Sequence, residues 1–153
     1  MTERPFMIEN LRNKNIATID SFFTNVFTNQ AQAKELLHDD FAFQFMGICS
    51  DCTKYNKQTY FDVWINQVIP TRIPNWVELS IVNKIADSEG VVYTVQGKAE
   101  GVNGSYNNNY AMVFTLKAGK IFSFHEYHSD LLWETRLYKK EVISIEEWIQ
   151  STY

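Results

Sequence analysis

The sequence predicts an α+β fold in which a curved antiparallel sheet packs against helices that precede it in the chain, the two together forming a cone. Three observations carry that prediction. Apolar residues recur at helical spacing early in the chain, at Leu11, Ile16, Ile19, Phe22, Phe23, Val26 and Phe27 and again at Tyr60, Phe61, Trp64, Ile65 and Val68. Beyond Pro70 and Pro74 the apolar period changes to two and stays there through four consecutive segments. No repeat, low-complexity tract or linker interrupts the 153 residues, so a single domain over 1–153 is expected, and a chain of that size can bury roughly 68–70% of its unfolded surface.

Taken in order, Leu11 to about Thr28 reads as an amphipathic helix, and "NQAQAKELLHDD" as a short second one with His38 near its C-terminal end, where a cation is favoured. "DFAFQFMG" sets Phe41, Phe43 and Phe45 against Ala42, Gln44 and Met46, a strand with one aromatic face. Lys57 to about Val68 is a third helix, stopped by the two prolines. The strands "WVELSIVNKIA", "GVVYTVQGKAEG", "SYNNNYAMVFTL" and "IFSFHEYH" follow, joined by turns at "SEG", "VNGS" and "KAGK". The chain closes with a helix in "SDLLWETRLY", for which Asp130 is a suitable cap, and another in "SIEEWIQ", where Ser144 and Glu147 have capping-box spacing.

Composition narrows the function. A net charge of −4 with no basic stripe argues against a nucleic-acid partner, and no stretch is long and apolar enough for a membrane span. With no apolar leader in "MTERPFMIEN", a cytoplasmic protein is expected. Cys49 and Cys52 form a C-x-x-C, but no second cysteine pair completes a zinc site and no βαβ unit supports redox chemistry, so two reduced loop thiols are expected. Aromatic residues make up 15% of the chain, enough to wall a pocket for a small apolar or cyclic metabolite, with a filled core as the alternative.

The candidate chemistry lies in "FSFHEYHSDLLWE". His125 and His128 are three apart on a strand and so face opposite ways, which leaves them unable to share a metal. A three-residue loop at Lys117-Ala118-Gly119 spares Ala118 a positive φ; it pairs Glu126 with Tyr110, Phe124 with Met112 and His128 with Asn108. Tyr106, Asn108, Tyr110, Phe124, Glu126 and His128 then share one face. A glutamate on an aromatic-lined face is a group that desolvation can tune into a proton shuttle, so Glu126 is the candidate acid/base, with Tyr110 and Asn108 orienting an oxygen. Trp64, Phe61 and Phe43 are expected to pack a ring, and Arg72 or Lys98 to meet a carboxylate. Neither metal nor cofactor is called for.

The helix–helix–strand–helix–strands order, the run Gly104-Ser105-Tyr106-Asn107-Asn108-Asn109-Tyr110, "GKI" at Gly119 to Ile121 and "HEY" at His125 to Tyr127 resemble the NTF2-like superfamily in its SnoaL-like, ketosteroid-isomerase-related branch, over about residues 8–138. Within it, "LRNKNIATIDSFFTN", "IPNWVE" and "SYNNNYAMVFTLKAGKIFSFHEY" look closest to the phenazine-biosynthesis A/B proteins. The resemblance implies a cone-shaped fold, usually a homodimer, whose pocket binds a small cyclic compound. It implies acid/base work for Glu126, with His125 where the phenazine proteins have arginine and Phe61 where they have a catalytic histidine. Other branches match less: Phe45 stands where ketosteroid isomerases place an Asp, and "TVQGK" where limonene-epoxide-hydrolase relatives need Arg-x-Asp. Asp130 matches the Asp that polyketide cyclases place before their last helix and is the second catalytic candidate.

Two functions follow. One is an acid/base isomerase, cyclase or condensing enzyme acting on a small cyclic carbonyl compound; the other is a non-catalytic ligand-binding or scaffold module. The C-terminal extension, 139–153, is expected to be ordered by its cap and Trp148, and Ile143, Ile145, Trp148 and Ile149 to cover the pocket mouth or a second subunit.

Overall fold

The computed structural model describes residues 3–152, and the helices come first, as the change of period requires. α1 (Glu3–Asn25) is followed by α2 (Gln30–Glu35), capped by Asn29, whose side chain accepts from the Gln32 N–H. The expected second helix is cut short: Leu37–Phe45 form β1, which places His38 in a strand rather than at a helix end. Pairing with the last strand decides this, since Leu37 aligns with Ile121, and Ile121 N donates to Leu36 O at 2.9 Å. Tertiary pairing overrides local helix propensity here.

After β2 (Lys54–Asn56), α3 begins with Lys57–Thr59, continues in π-helical turns through Tyr60–Val68 and finishes with Ile69–Arg72. It thus runs past Pro70, which sits where the π-helical bonding ends, Ile69 N donating to Trp64 O and Ile73 N to Ile69 O. Pro74 ends it by forcing Ile73 out of helical geometry, to φ −131° and ψ 72°.

The strands are β3 (Glu78–Ala86), β4 (Gly90–Lys98), the short pair β5 (Glu100–Gly101) and β6 (Gly104–Ser105), then β7 (Asn108–Lys117) and β8 (Lys120–Tyr127). The main sheet has the order β2-β1-β8-β7-β4-β3. It is mixed rather than wholly antiparallel, because β1 lies parallel to β8. Alternation shows which residues share a face but not the direction of a partner so remote in the chain.

The β7–β8 hairpin also departs from the expected register. Its loop has two residues, Ala118 and Gly119, both at positive φ (51° and 74°), with Lys117 opposite Lys120. Such a turn matches the right-handed twist of the strands, which offsets the strain at Ala118. Together with a bulge near Leu116, it puts Glu126 opposite Met112 and Phe124 opposite Phe114. Beyond the bulge the slip is two residues, so Phe124 and Glu126 keep the expected face, whereas Ile121, before it, turns into the core.

Two further expectations are corrected. Cys49 and Cys52 are joined as a disulfide rather than left as thiols; Cys52 N donates to Cys49 O at 3.1 Å, a turn that holds their Cα atoms 4.9 Å apart, within bridging distance. α4, built from Asp130–Leu132 and Trp133–Leu137, is capped by Ser129, whose hydroxyl accepts from Leu132 N, and Asp130 is one residue inside it. In α5 (Ile145–Thr152) the capping box forms as expected: Ser144 N donates to Glu147 Oε2 at 2.8 Å, and Glu147 N to Ser144 Oγ at 3.1 Å. The side chains of Ile145 and Trp148 lie outside the described residues. Ile143 borders a surface cleft along α4 with Leu131 and Arg136.

The core lies between the helices and the concave face of the sheet, and Phe22, Phe43, Phe45, Phe114, Phe124 and Trp133 fill it. No described helix is long and apolar enough to cross a membrane.

Candidate active site

A small cavity remains where the aromatic core meets the middle of the sheet. Glu126 and Phe124 of β8, Tyr110 and Met112 of β7, and Tyr60, Trp64 and Ile65 of α3 line it, with Phe22, Phe23 and Val26 of α1 and Trp133 of α4 completing the wall. Its volume is about 60 Å³. A second cleft, of about 280 Å³, lies beside it between α1 and β3 and shares Phe23, Phe27, Val77 and Leu79 with it. An apolar cavity that takes benzene measures about 150 Å³. The inner chamber therefore admits a head group of a few atoms, while a ring fits the outer cleft.

Glu126 is the acidic group of this chamber. Among the described residues no hydrogen bond or ion pair ends on its carboxylate, and burial raises its pKa to about 8. Phenols surround it. Burial raises the pKa of Tyr60 and Tyr110 strongly and that of Tyr106 to about 12, and the Glu126 charge adds to each. The Tyr110 hydroxyl donates to Tyr106 at 3.3 Å, and Asn108 Nδ2 donates to the same oxygen at 3.0 Å. Tyr60, which also lines the chamber, makes no hydrogen bond among the described residues, so its hydroxyl can donate to a ligand.

The expected residues separate into two groups. Trp64, Tyr110, Phe124 and Glu126 meet at the chamber. Phe43 and Phe61 lie in the core; Phe43 backs the wall, with ring centroids 4.9 Å from Tyr60 and 4.8 Å from Phe124, while Phe61 lies beneath the Lys34 ammonium. Tyr106 and Asn108 sit buried behind Tyr110, where Asn108 is engaged with the backbone of Ser129, its Oδ1 accepting from Ser129 N at 3.1 Å. Arg72 is held over the Tyr138 ring at 3.9 Å and 3.7 Å from Asp51, and Lys98 borders a separate surface cleft. His128 and Asp130 turn away from the chamber to the disulfide loop.

Sequence reasoning missed Tyr60 as a site residue and chose its neighbour Phe61. The π-helical turns explain this, because i→i+5 bonding brings Tyr60, Trp64 or Ile65, and Ile69 to one side, where an ordinary helical wheel favours Phe61 equally. Gly97 is a second such residue. A Cβ there would fall 2.7 Å from Tyr110 Cε2 and 2.9 Å from Val77 Cγ2, so the absence of a side chain lets Tyr110 lie flat against β4. Gly97→Ala is expected to push the phenol aside and lower stability by about 1–3 kcal/mol in urea unfolding; an unchanged midpoint would show that the ring has room to yield.

No family model matches the sequence, and no curated protein matches it significantly. Solved structures do match. Bal32a, from a soil-derived mobile gene cassette, superposes with a TM-score of 0.72 at 11% identity, over 83% of this chain and 98% of its own. An NTF2-like protein from Burkholderia xenovorans LB400 gives 0.68 at 13% identity, over 82% and 97%. A protein from Jannaschia sp. CCS1, assigned as a SnoaL-like polyketide cyclase, gives 0.68 at 14% identity, over 86% and 96%. At these identities the likeness is one of architecture, and on it the chain has the NTF2-like fold.

Proposed function

We propose that this protein binds a small cyclic carbonyl compound and moves a proton at the carbon next to the carbonyl, with Glu126 as the base that removes the proton and returns it. The observation that carries the reading is an unpaired, half-buried carboxylate on the wall of an apolar chamber that the phenol Tyr60 also lines. Burying such a group without a partner is costly, and acid/base sites are where that cost recurs. The carbonyl end enters the inner chamber, its oxygen accepts from the Tyr60 hydroxyl, and the ring rests among Phe27, Val77 and Leu79. Charge developing on the oxygen in the enolate is met by that phenol. Returning the proton to a different carbon completes an isomerisation.

The test follows proton loss and applies to any compound of the class. Small cyclic ketones and enones are incubated with the protein in deuterium oxide, and their α-proton signals are followed by NMR. Exchange faster than in buffer supports the reading. A second reading, a binding module without chemistry, draws on the small size of the chamber; saturable binding with no deuterium uptake across the panel selects it.

The same proposal includes a homodimer. Its support is edge strand β3, where Ile81, Val82 and Ile85 are 45%, 53% and 65% exposed, an apolar stripe that a second copy would cover. Light scattering is expected to give twice the chain mass, and a monomer at micromolar concentration overturns it.

A further inference from the structure

The Cys49–Cys52 loop folds back onto the junction of β8 and α4, where four potential metal ligands meet. One ligand atom from each of Cys49, Cys52, His128 and Asp130 lies within 4.8 Å of all the others. Cys52 Sγ is 3.8 Å, and His128 Nε2 3.2 Å, from Asp130 Oδ1. The His128 side chain has no exposed surface and stacks on Phe45 at 3.8 Å between centroids. Neither of its ring nitrogens has a hydrogen-bond partner, since the approach to Asp130 is not aligned for one. A fully buried imidazole with two idle nitrogens calls for a partner that supplies what the protein does not.

The loop is shaped around Asp130. Gly47 has φ 129°, and a Cβ there would lie 2.2 Å from Asp130 Oδ1. Ile48 N donates to Oδ2 at 2.9 Å, which fixes the carboxylate and leaves Oδ1 toward the sulfurs and the imidazole. We propose that, once the Cys49–Cys52 disulfide is reduced, Cys49, Cys52, His128 and Asp130 bind one zinc-type divalent cation.

The donor set suits that ion. Two thiolates, an imidazole and a carboxylate favour four-coordinate zinc over magnesium or calcium, which prefer all-oxygen ligands. Tetrahedral ligands about 2.0–2.3 Å from zinc stand roughly 3.3–3.8 Å apart, close to the spacing already present at Asp130. A neutral imidazole has a lone pair to give. A phosphine reductant breaks the S–S bond, taking oxygen from water to become its oxide and leaving two thiols. The cation then displaces both thiol protons. Disulfide and metal exclude each other, so the site exists only in the reduced chain. Trp133 stands between this cluster and the Glu126 chamber, lining the one and packing against His128 at 5.9 Å between centroids. The two sites are independent in residues and in test.

The protein is reduced with a phosphine, freed of reagent without air and titrated with cobalt(II). One equivalent is expected to raise thiolate-to-cobalt charge-transfer absorption and the visible bands of tetrahedral cobalt, and zinc to bleach them. The same chain reoxidised to the disulfide is expected to show neither, a control that requires no substitution. Cys52→Ser is expected to abolish the charge-transfer band or reduce it to a fraction, and His128→Asn and Asp130→Ala to weaken cobalt binding at least tenfold. Reduced wild-type protein without the bands, or bands that survive unchanged in both His128→Asn and Asp130→Ala, overturns the proposal.

Discussion

Glu126→Gln is expected to slow α-proton exchange by about 10²–10⁴-fold while leaving ligand affinity within a few-fold, the range general acid–base catalysis contributes. The substitution replaces one carboxylate oxygen by an amide nitrogen of nearly the same size, so the walls formed by Phe124, Met112 and Tyr110 need not move. What changes is the ability to hold and release a proton. Because no hydrogen bond ends on the native carboxylate, none is lost, and stability near neutral pH is expected to hold or rise. Paired measurements, exchange by NMR and affinity by titration, separate loss of chemistry from loss of binding. Exchange within tenfold of wild type removes Glu126 from the mechanism.

The largest expected loss of stability comes from Phe43→Ala. Phe43 is fully buried, and its ring meets Phe45, Tyr55, Tyr60, Trp64 and Phe124 at centroid distances between 4.8 and 6.5 Å. Truncation removes apolar burial, several aromatic contacts and the support behind two chamber walls, and neighbours held by α3 and the sheet can collapse only partly into the gap. About 3–5 kcal/mol is expected. Against a total stability of about 5–15 kcal/mol this is a large share, measurable as a lower urea midpoint. A loss below about 1 kcal/mol would mean that the aromatic cluster repacks, and that the chamber's shape is softer than its close ring contacts indicate.

How much of this was legible in the sequence depended on the range of the interaction involved. Periodicity located most of the elements, because burial of one face acts through residues two to four apart. Glu126 was assigned to the inner face although its cross-strand partner was wrong by two, since a slip of two preserves which side each residue faces. Tyr60 was missed because π-helical turns rotate the stripe, and local pattern does not announce them. The fate of Cys49, Cys52, His128 and Asp130 was hidden for a different reason. The sequence shows no second cysteine pair beside Cys49 and Cys52, and the residues the fold brings to them, His128 and Asp130, stand about eighty positions away, adjacent only when the loop folds onto α4.

The parallel pairing of β1 with β8 has a consequence for how the chain comes into being. One edge of the first strand, Leu37–Phe45, finds its hydrogen-bonded neighbour only in residues 121–126, so more than half the polypeptide must be made before that edge is paired. Contacts of such long sequence separation form late and slowly. Assembly of the sheet is thus timed by the strand that carries Glu126, and a ribosome-bound chain short of it holds an unpaired strand edge and no chamber.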